Sequence, residues 1–380
     1  MKILWVSAAP WIMTGYGKVS AKIVFYLKAK HEIYYITPQI KSKDPLIYEG
    51  ITIYGAEDFV GRDMIYAVYK SVKCDLCITL FDVWAYTDFD TLRPNYFLKN
   101  KIRWVPYTPI DAPLFDDCPI VAVLKEAYHI VAMSKFGYKE IKKYFDNVTL
   151  IPHGVDCKLY RPLDKKESRK IIGFPEDVFI FGFVGENLSE RKDIPRLIRA
   201  YKIFLENNPD AKKDTILYLH TSPVFEPGSS FNLVLISRKL GIAENVWLRA
   251  TPKLPETLMP YVYNSFDIYI TASRGEGFGL PVIEAQACGV PVIAPDNSSH
   301  IELVEGHGWL VKCENPAETL WTITHQDYPI INVYDMAEKM AEAYNNSDKV
   351  KKYGELSRKF ALDYDWSKIL PKWDELLEKL

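Results

Sequence analysis

The chain has 380 residues, 48% of them hydrophobic and 25% charged, with a formal net charge of −2. That length exceeds a usual single core and predicts two domains, while the near-neutral charge leaves no basic footprint for nucleic acid as a main partner. Six cysteines in 380 residues exclude a disulfide scaffold, and no apolar stretch approaches a membrane-spanning helix.

In chain order, the apolar start at Met1–Ser7 is too short for a secretory h-region and reads as a first strand, Lys2–Ala8. A helix is expected over Lys18–Leu27, with strands over Ile33–Thr37, Leu76–Phe81, Arg103–Pro106 and His129–Met133. Cys74-Asp75-Leu76-Cys77 has the spacing of a redox motif or half a zinc site. It opens an apolar run and has no second pair, so a buried strand is expected. Asn147-Val148-Thr149 and Asn297-Ser298-Ser299 fit the glycosylation sequon, which means little without a leader. The pattern breaks near Ile151–Asp156, and a polar run, Arg161–Lys166, reads as a linker. A second series follows: strand Val178–Gly185, helix Pro195–Asn207, and strands Thr215–His220, Asn245–Leu248, Asp267–Thr271 and Pro291–Ala294. Such alternation predicts parallel sheets covered by helices, in two doubly wound α/β domains. Their expected extents are 1–160 and 161–358, followed by a terminal helical segment, 359–380.

The most informative stretch is Ser273-Arg274-Gly275-Glu276-Gly277-Phe278-Gly279-Leu280-Pro281-Val282-Ile283-Glu284. It follows a buried strand and carries a proline suited to a helix start. The helix is expected to run to Cys288 and end at Gly289. The amides of Phe278, Gly279 and Leu280 then lie at a helix N-terminus, where unsatisfied N–H groups and the helix dipole favour phosphate. Glu276 and Glu284 flank the turn as strong acceptors for hydroxyl-rich groups. The layout suits a diphosphate with a sugar at each end. A plain strand–turn–helix with surface glutamates is the competing reading.

Glu276 to Glu284 resembles the E-x7-E signature, in the form E-G-F-G-L-P-x-x-E, of retaining glycosyltransferase family 4, the group 1 glycosyltransferases. The resemblance implies the GT-B fold, two Rossmann-like domains facing a cleft, with the acceptor on the N-terminal and the donor on the C-terminal side. It implies that Glu276 contacts the donor sugar, Glu284 the nucleotide ribose, and the Gly277 to Leu280 turn the sugar and phosphate. The terminal segment resembles the family's helix that crosses back to the first domain.

The first loop, Pro10 to Lys18, holds Gly15, Tyr16 and Gly17 and resembles the family's glycine-rich loop facing the donor phosphate; a tight turn is the other reading. Phe183 to Asp193 resembles V-G-R-L-x-x-x-K-G, whose cations clamp the diphosphate. Here Glu186 stands at the usual Arg position and the loop is one residue longer, so Arg191 and Lys192 are expected to contact phosphate. His153-Gly154-Val155-Asp156 resembles the family's junction turn; a structural, hydrogen-bonded His153 and a bracing Asp156 are expected. Asp111, past a first-domain strand, is a candidate to accept a hydrogen bond from sugar or acceptor, against a turn cap. Ser134 reads as a helix N-cap. Asp88-Phe89-Asp90 matches a metal motif of another glycosyltransferase fold and is discounted, leaving no metal cluster. The segment Thr251 to Leu254 is expected to recognise the base through its backbone.

With these residues, the resemblance implies a retaining hexosyltransferase. It would use a nucleotide-diphosphate sugar, a UDP- or GDP-sugar, and a hydroxyl acceptor: a glycan, a lipid-linked sugar or a glycoprotein. No cofactor and no metal are expected. The alternatives are another GT-B enzyme, an epimerase or a phosphorylase, and a non-catalytic nucleotide-sugar or glycan-binding protein. A phosphorylase needs a Schiff-base lysine, for which there is no candidate context. A cytoplasmic protein is expected, with Trp11 and Tyr16 as candidates to stack on a sugar or touch the inner membrane face.

Overall fold

A computed structural model describes the chain apart from residues 43, 88–94, 188–189, 223–230, 249–253 and 320–323, and apart from the side chains of 315–319. Asp88-Phe89-Asp90 and Thr251 lie outside the described residues. The chain divides into two units. The first comprises Met1–Gly154, Trp366–Leu380 and a short segment ending at Gln326; the second comprises the remaining residues from Val155 to Asp365.

The first unit is built on eight strands: β1 (Lys2–Val6), β2 (Glu32–Thr37), β3 (Leu46–Tyr48), β4 (Ile51–Gly55), β5 (Leu76–Thr79), β6 (Trp104–Thr108), β7 (Ile130–Ala132) and β8 (Val148–Leu150). Their order is β3-β4-β2-β1-β5-β6-β7-β8, parallel except for the edge strand β3. Central strands such as β5 (Leu-Cys-Ile-Thr) are buried throughout, as a parallel sheet covered on both faces requires. Cys74 and Cys77 are buried thiols at this strand, and burial pushes that of Cys74 up to about 12. The core stacks Phe97 on Trp104 with ring centres 3.9 Å apart. The terminal helix, Pro371–Leu377, sets a fully buried Trp373 edge-on to Trp5 and Tyr107.

The helix expected from Lys18 begins at Gly15, with the Thr14 side chain accepting from the Gly17 amide at 3.2 Å. The two glycines therefore sit in a first helical turn. A Cβ at Gly17 would come within 2.3 Å of the Ile12 carbonyl oxygen, so packing within the chain accounts for this glycine. Ser134 caps the helix Lys135–Lys142 by accepting from Gly137 at 3.0 Å.

The second unit holds a wholly parallel six-stranded sheet: β9 (Phe179–Val184), β10 (Thr215–His220), β11 (Val246–Leu248), β12 (Ile268–Ile270), β13 (Val292–Pro295) and β14 (Trp309–Val311). The polar run Arg161–Lys166 packs within this unit. Asn264 accepts from the Leu163 amide at 2.8 Å, and Asp164 caps the helix Lys165–Ile172. The Asp156 carboxylate accepts from the amides of Lys158 and Leu159, bracing its turn. Among the described residues no helix is long and apolar enough to cross a membrane, and no group of three or more His, Cys, Asp or Glu is placed to hold a metal.

Candidate active site

The order of the second sheet is β11-β10-β9-β12-β13-β14. The chain winds outward from β9 to β11, then returns to start again at β12. Loops leaving the carboxyl ends of β9 and β12 diverge at this reversal, which leaves a crevice in doubly wound sheets. The β9 loop carries Arg191 and Lys192; the β12 loop carries Ser273 to Gly279. The two candidate cations and the first candidate glutamate are thus brought to the topological switch point from positions more than 80 residues apart.

There they form one cluster. Lys192 donates to Glu276 Oε1, and Arg191 Nη1 to Glu276 Oε2 at 3.1 Å and to the Gly275 carbonyl at 2.6 Å. The Glu276 side chain is 15% exposed, that of Lys192 17% and that of Arg191 32%. Burial works to raise the Glu276 carboxyl, but Lys192 and Arg191 outweigh it and hold the group well below the usual carboxylate range. Two further ties join the loops. The Arg274 amide donates to the Arg191 carbonyl at 2.8 Å. The Arg274 guanidinium pairs with Asp193 at 2.9 Å, both side chains being 8% exposed. Removing one partner of such a buried pair costs about 3–5 kcal/mol. Asp193 stands in the left-handed region, φ 43°, at the N-cap position of the helix Ile194–Asn207, with no side-chain capping bond. Asp and Asn tolerate that region better than most residues do.

The helix after the turn runs Leu280–Ala287, with Gly279 at its N-cap and Pro281 in its first turn. Gly279 has φ 98°, which a side chain rarely adopts. Gly289 follows the helix at φ 76°, the expected left-handed stop. Phe278 is 3% exposed and packs its ring toward Tyr364, so its backbone is what it offers the turn. Gly277 is buried in the same turn. Glu284, one turn into the helix, is 7% exposed and accepts from the Tyr263 hydroxyl at 2.7 Å. It is a braced, buried carboxylate, which removes the reading as a surface glutamate.

The Asn297-Ser298-Ser299-His300 segment, read in the sequence only as a glycosylation sequon, packs against Glu276. Asn297 is 5% exposed and donates to the Ser273 carbonyl, so it is part of the interior. Leu254 is half-buried in the second unit, two residues ahead of the short helix Glu256–Leu258.

The remaining predicted residues lie in the first unit. Tyr16 donates to Asp82 at 2.8 Å beside the carboxyl ends of β1 and β5, the switch point of that sheet. Gly15 is exposed and Trp11 is 38% exposed, with its ring edge-on to Tyr48. Asp111 is half-buried, three residues beyond β6. His153 is 4% exposed and bonded to the Tyr107 hydroxyl at 2.7 Å; burial pushes it down to about 3. It is a neutral core histidine, as expected of the structural reading. Sequence reasoning missed Asp193, Arg274, Tyr263 and Asn297 to His300, for which spacing gave no signal.

Residues 164–325 match the profile of a family described as glycosyl transferases group 1. Among curated proteins, a D-inositol 3-phosphate glycosyltransferase of Actinosynnema mirum is 33% identical over 238 residues, covering 54% of this chain and 56% of that protein. The chain spans about half the length of the curated relatives it matches. Among solved structures, sucrose-phosphate synthase from Thermosynechococcus elongatus aligns over 100% of this chain and 98% of its own, with a TM-score of 0.77 and 16% identity. HepE from Anabaena, in complex with UDP-glucose, aligns over 100% of both chains, with a TM-score of 0.73 and 16% identity. At such identities the likeness is one of fold, the GT-B fold of two Rossmann-like domains.

Proposed function

We propose, for a chain whose residues 164–325 match the profile of the group 1 glycosyl transferases, that it transfers a hexose from a nucleotide-diphosphate sugar to a hydroxyl acceptor with retention of configuration. The observation that carries this reading is the cluster of Glu276 with Arg191 and Lys192 at the foot of the helix bearing Glu284. The donor diphosphate lies against the turn at Gly277 to Leu280, where the leading edge of the helix favours anions. Arg191 and Lys192 neutralise it as the leaving group develops charge, the role a metal ion takes elsewhere. Glu276 accepts hydroxyls of the hexose, and Glu284 those of the ribose. UDP is the first base to test, since a protein of the same fold is in complex with UDP-glucose; GDP is the second.

No residue is proposed as a covalent nucleophile. The acceptor oxygen attacks the anomeric carbon on the face the diphosphate leaves. The bond from that carbon to the phosphate oxygen breaks, the new glycosidic bond forms, and the acceptor proton passes to the departing phosphate. Isolation of a glycosyl-enzyme adduct would overturn this route. Asp111 and the Tyr16–Asp82 pair are assigned to the acceptor, which is a glycan, a lipid-linked sugar or a glycoprotein.

The experiment is a thermal-shift screen with UDP, GDP, ADP and their sugar conjugates, followed by donor hydrolysis without acceptor. A rise with one nucleotide, which follows when a ligand binds only the native state, together with slow hydrolysis of its sugar conjugate supports transfer. Interconversion of the sugar instead would point to an epimerase, and binding with no turnover to a binding protein.

A further inference from the structure

The Asn297 to His300 segment touches Glu276 at both of its backbone polar groups. The Glu276 amide donates to Ser298 Oγ at 3.0 Å, and Ser299 Oγ donates to the Glu276 carbonyl at 2.9 Å. Ser298 Oγ in turn lies 3.1 Å from Asn297 Oδ1, and His300 Nδ1 lies 3.0 Å from the same oxygen. Asn297 Nδ2 faces the Ser273 carbonyl at 3.3 Å, which fixes the amide with its oxygen toward the serine and the histidine. That oxygen only accepts, so Ser298 spends its single proton there and turns lone pairs to the Glu276 amide. His300 must carry its proton on Nδ1. Its Nε2 is buried with no hydrogen-bond partner among the described residues, and the side chain is fully enclosed. The chain of bonds therefore has one direction: His300 to Asn297, Ser298 to Asn297, and Glu276 to Ser298, with Ser299 closing on the other side of the same peptide.

Ser298 holds φ at +42°, a region that favours glycine. Glycine would adopt it without strain but would bring no hydroxyl. A strained residue persists where its surroundings over-determine it, and such sites cluster where geometry matters to function.

We infer that Ser298, oriented by Asn297 and His300, and Ser299 are positioning residues that set the backbone of Glu276 so that its carboxylate meets the transferring sugar. This rests on the reading of Glu276 as the donor-sugar acceptor. The segment orients the sugar contact and leaves the nucleotide contacts of Glu284 and the helix turn untouched.

The test compares wild type with Ser298→Gly and Ser299→Ala, measuring kcat and KM for the nucleotide-sugar, Kd for the nucleoside diphosphate alone, and the melting temperature. Ser298→Gly relieves the left-handed backbone while deleting the hydroxyl, so stability and positioning are separated. The expected result for each variant is kcat lower by about 10- to 100-fold, the scale of a misplaced reacting group. The diphosphate Kd should stay within about twofold, a small share of the about 1.4 kcal/mol that a tenfold change represents. Wild-type kcat in both variants would overturn the inference. So would a loss of kcat matched by an equal loss of diphosphate affinity and melting temperature, which marks the segment as structural only. A wild-type chain that turns over no nucleotide-sugar overturns the functional reading and this inference with it, and is seen before any variant is measured.

Discussion

On the proposed function Glu276 and the donor diphosphate compete for the same two cations, and Glu276→Gln exposes that competition. Without a donor, Lys192 and Arg191 both donate to the Glu276 carboxylate. Charges about 3 Å apart attract by about 5 kcal/mol at an effective dielectric near 20. Partial exposure of Arg191 brings the net value toward the roughly 1.5–3 kcal/mol of a charge-assisted hydrogen bond. A diphosphate must recruit these cations away from the carboxylate or share them with it. Glutamine keeps the shape and removes the charge, so the diphosphate recovers about 1–2 kcal/mol, or roughly 5- to 30-fold in affinity. The hexose meanwhile loses its charged acceptor, and kcat falls by about 100-fold or more, the scale of one lost transition-state contact. Calorimetric titration of wild type and Glu276→Gln with the nucleoside diphosphate, beside turnover of its sugar conjugate, reads both effects. Diphosphate affinity that is unchanged or weaker in Glu276→Gln would refute the assignment of Arg191 and Lys192 to the phosphates. Salt should narrow the difference, because the competition is electrostatic.

Tyr263→Phe removes the hydroxyl that donates to Glu284 at 2.7 Å. At about 1 kcal/mol for such a bond, nucleotide affinity should fall roughly fivefold in the same titration, with kcat little changed; unchanged affinity would detach Glu284 from the ribose. Glu284→Ala removes the acceptor itself and should weaken nucleotide binding further. Asp193→Gly suits the left-handed backbone but takes away the carboxylate paired with buried Arg274. Set against the about 3–5 kcal/mol of a broken buried pair, the relief of roughly 1 kcal/mol leaves a net loss of stability in urea unfolding; a gain would show the pair to be dispensable. His300 and His153 are held neutral by burial, with values pushed down to about 4 and about 3. Both are depressed from an ordinary value of about 6.5, so the unfolded chain binds more protons below it. Stability should therefore fall as pH drops from about 6.5 toward 4, by about 3 kcal/mol for each histidine at pH 4. Urea unfolding at pH 7, 5.5 and 4 checks the sign, and a flat profile from 7 to 5.5 would contradict it.

What the sequence made legible follows from how each feature is encoded. Central strands such as β5 and β9 read as apolar runs because both faces of a parallel sheet are covered. The edge strand β3 and its neighbour β4 did not, since β3 is largely exposed and β4 alternates between buried and half-buried residues. The helix Leu280–Ala287 was legible at both ends, through Pro281 and Gly289, because caps are local chemistry. The glutamates stood out by spacing alone. Their supports could not, because folding assembles them. Tyr263 is 21 residues from Glu284, Ser298 is 22 from Glu276, and Asp193 is 81 from Arg274. The same Asn297-Ser298-Ser299 that fits a surface sequon is interior, since burial and partners decide its role.

The loop after β9 shows why a pattern can fail locally while its chemistry survives. Glu186 stands where the family pattern has an arginine, and it is exposed, away from Glu276's hydrogen bonds. Asp193 stands where the pattern has a glycine, and it keeps the glycine's left-handed backbone, φ 43°. Its carboxylate then reaches Arg274 on the β12 loop and Arg196 on its own helix. A glycine there would remove this side-chain tie between the two loops and leave others, among them the Arg274 amide bond to the Arg191 carbonyl, the Arg191 bond to the Gly275 carbonyl and the cation–Glu276 contacts. With Asp193, the β9 loop is bolted to the β12 loop one residue beyond Lys192, which aims Arg191 and Lys192 together at Glu276. Against the pattern that the sequence resembles, Arg191 answers for the arginine expected at position 186, and Asp193 ties its loop to the β12 loop. Under the proposed function, Arg191 and Lys192 would supply the preorganised positive charge that a leaving diphosphate requires, from a different distribution of charge along the same loop.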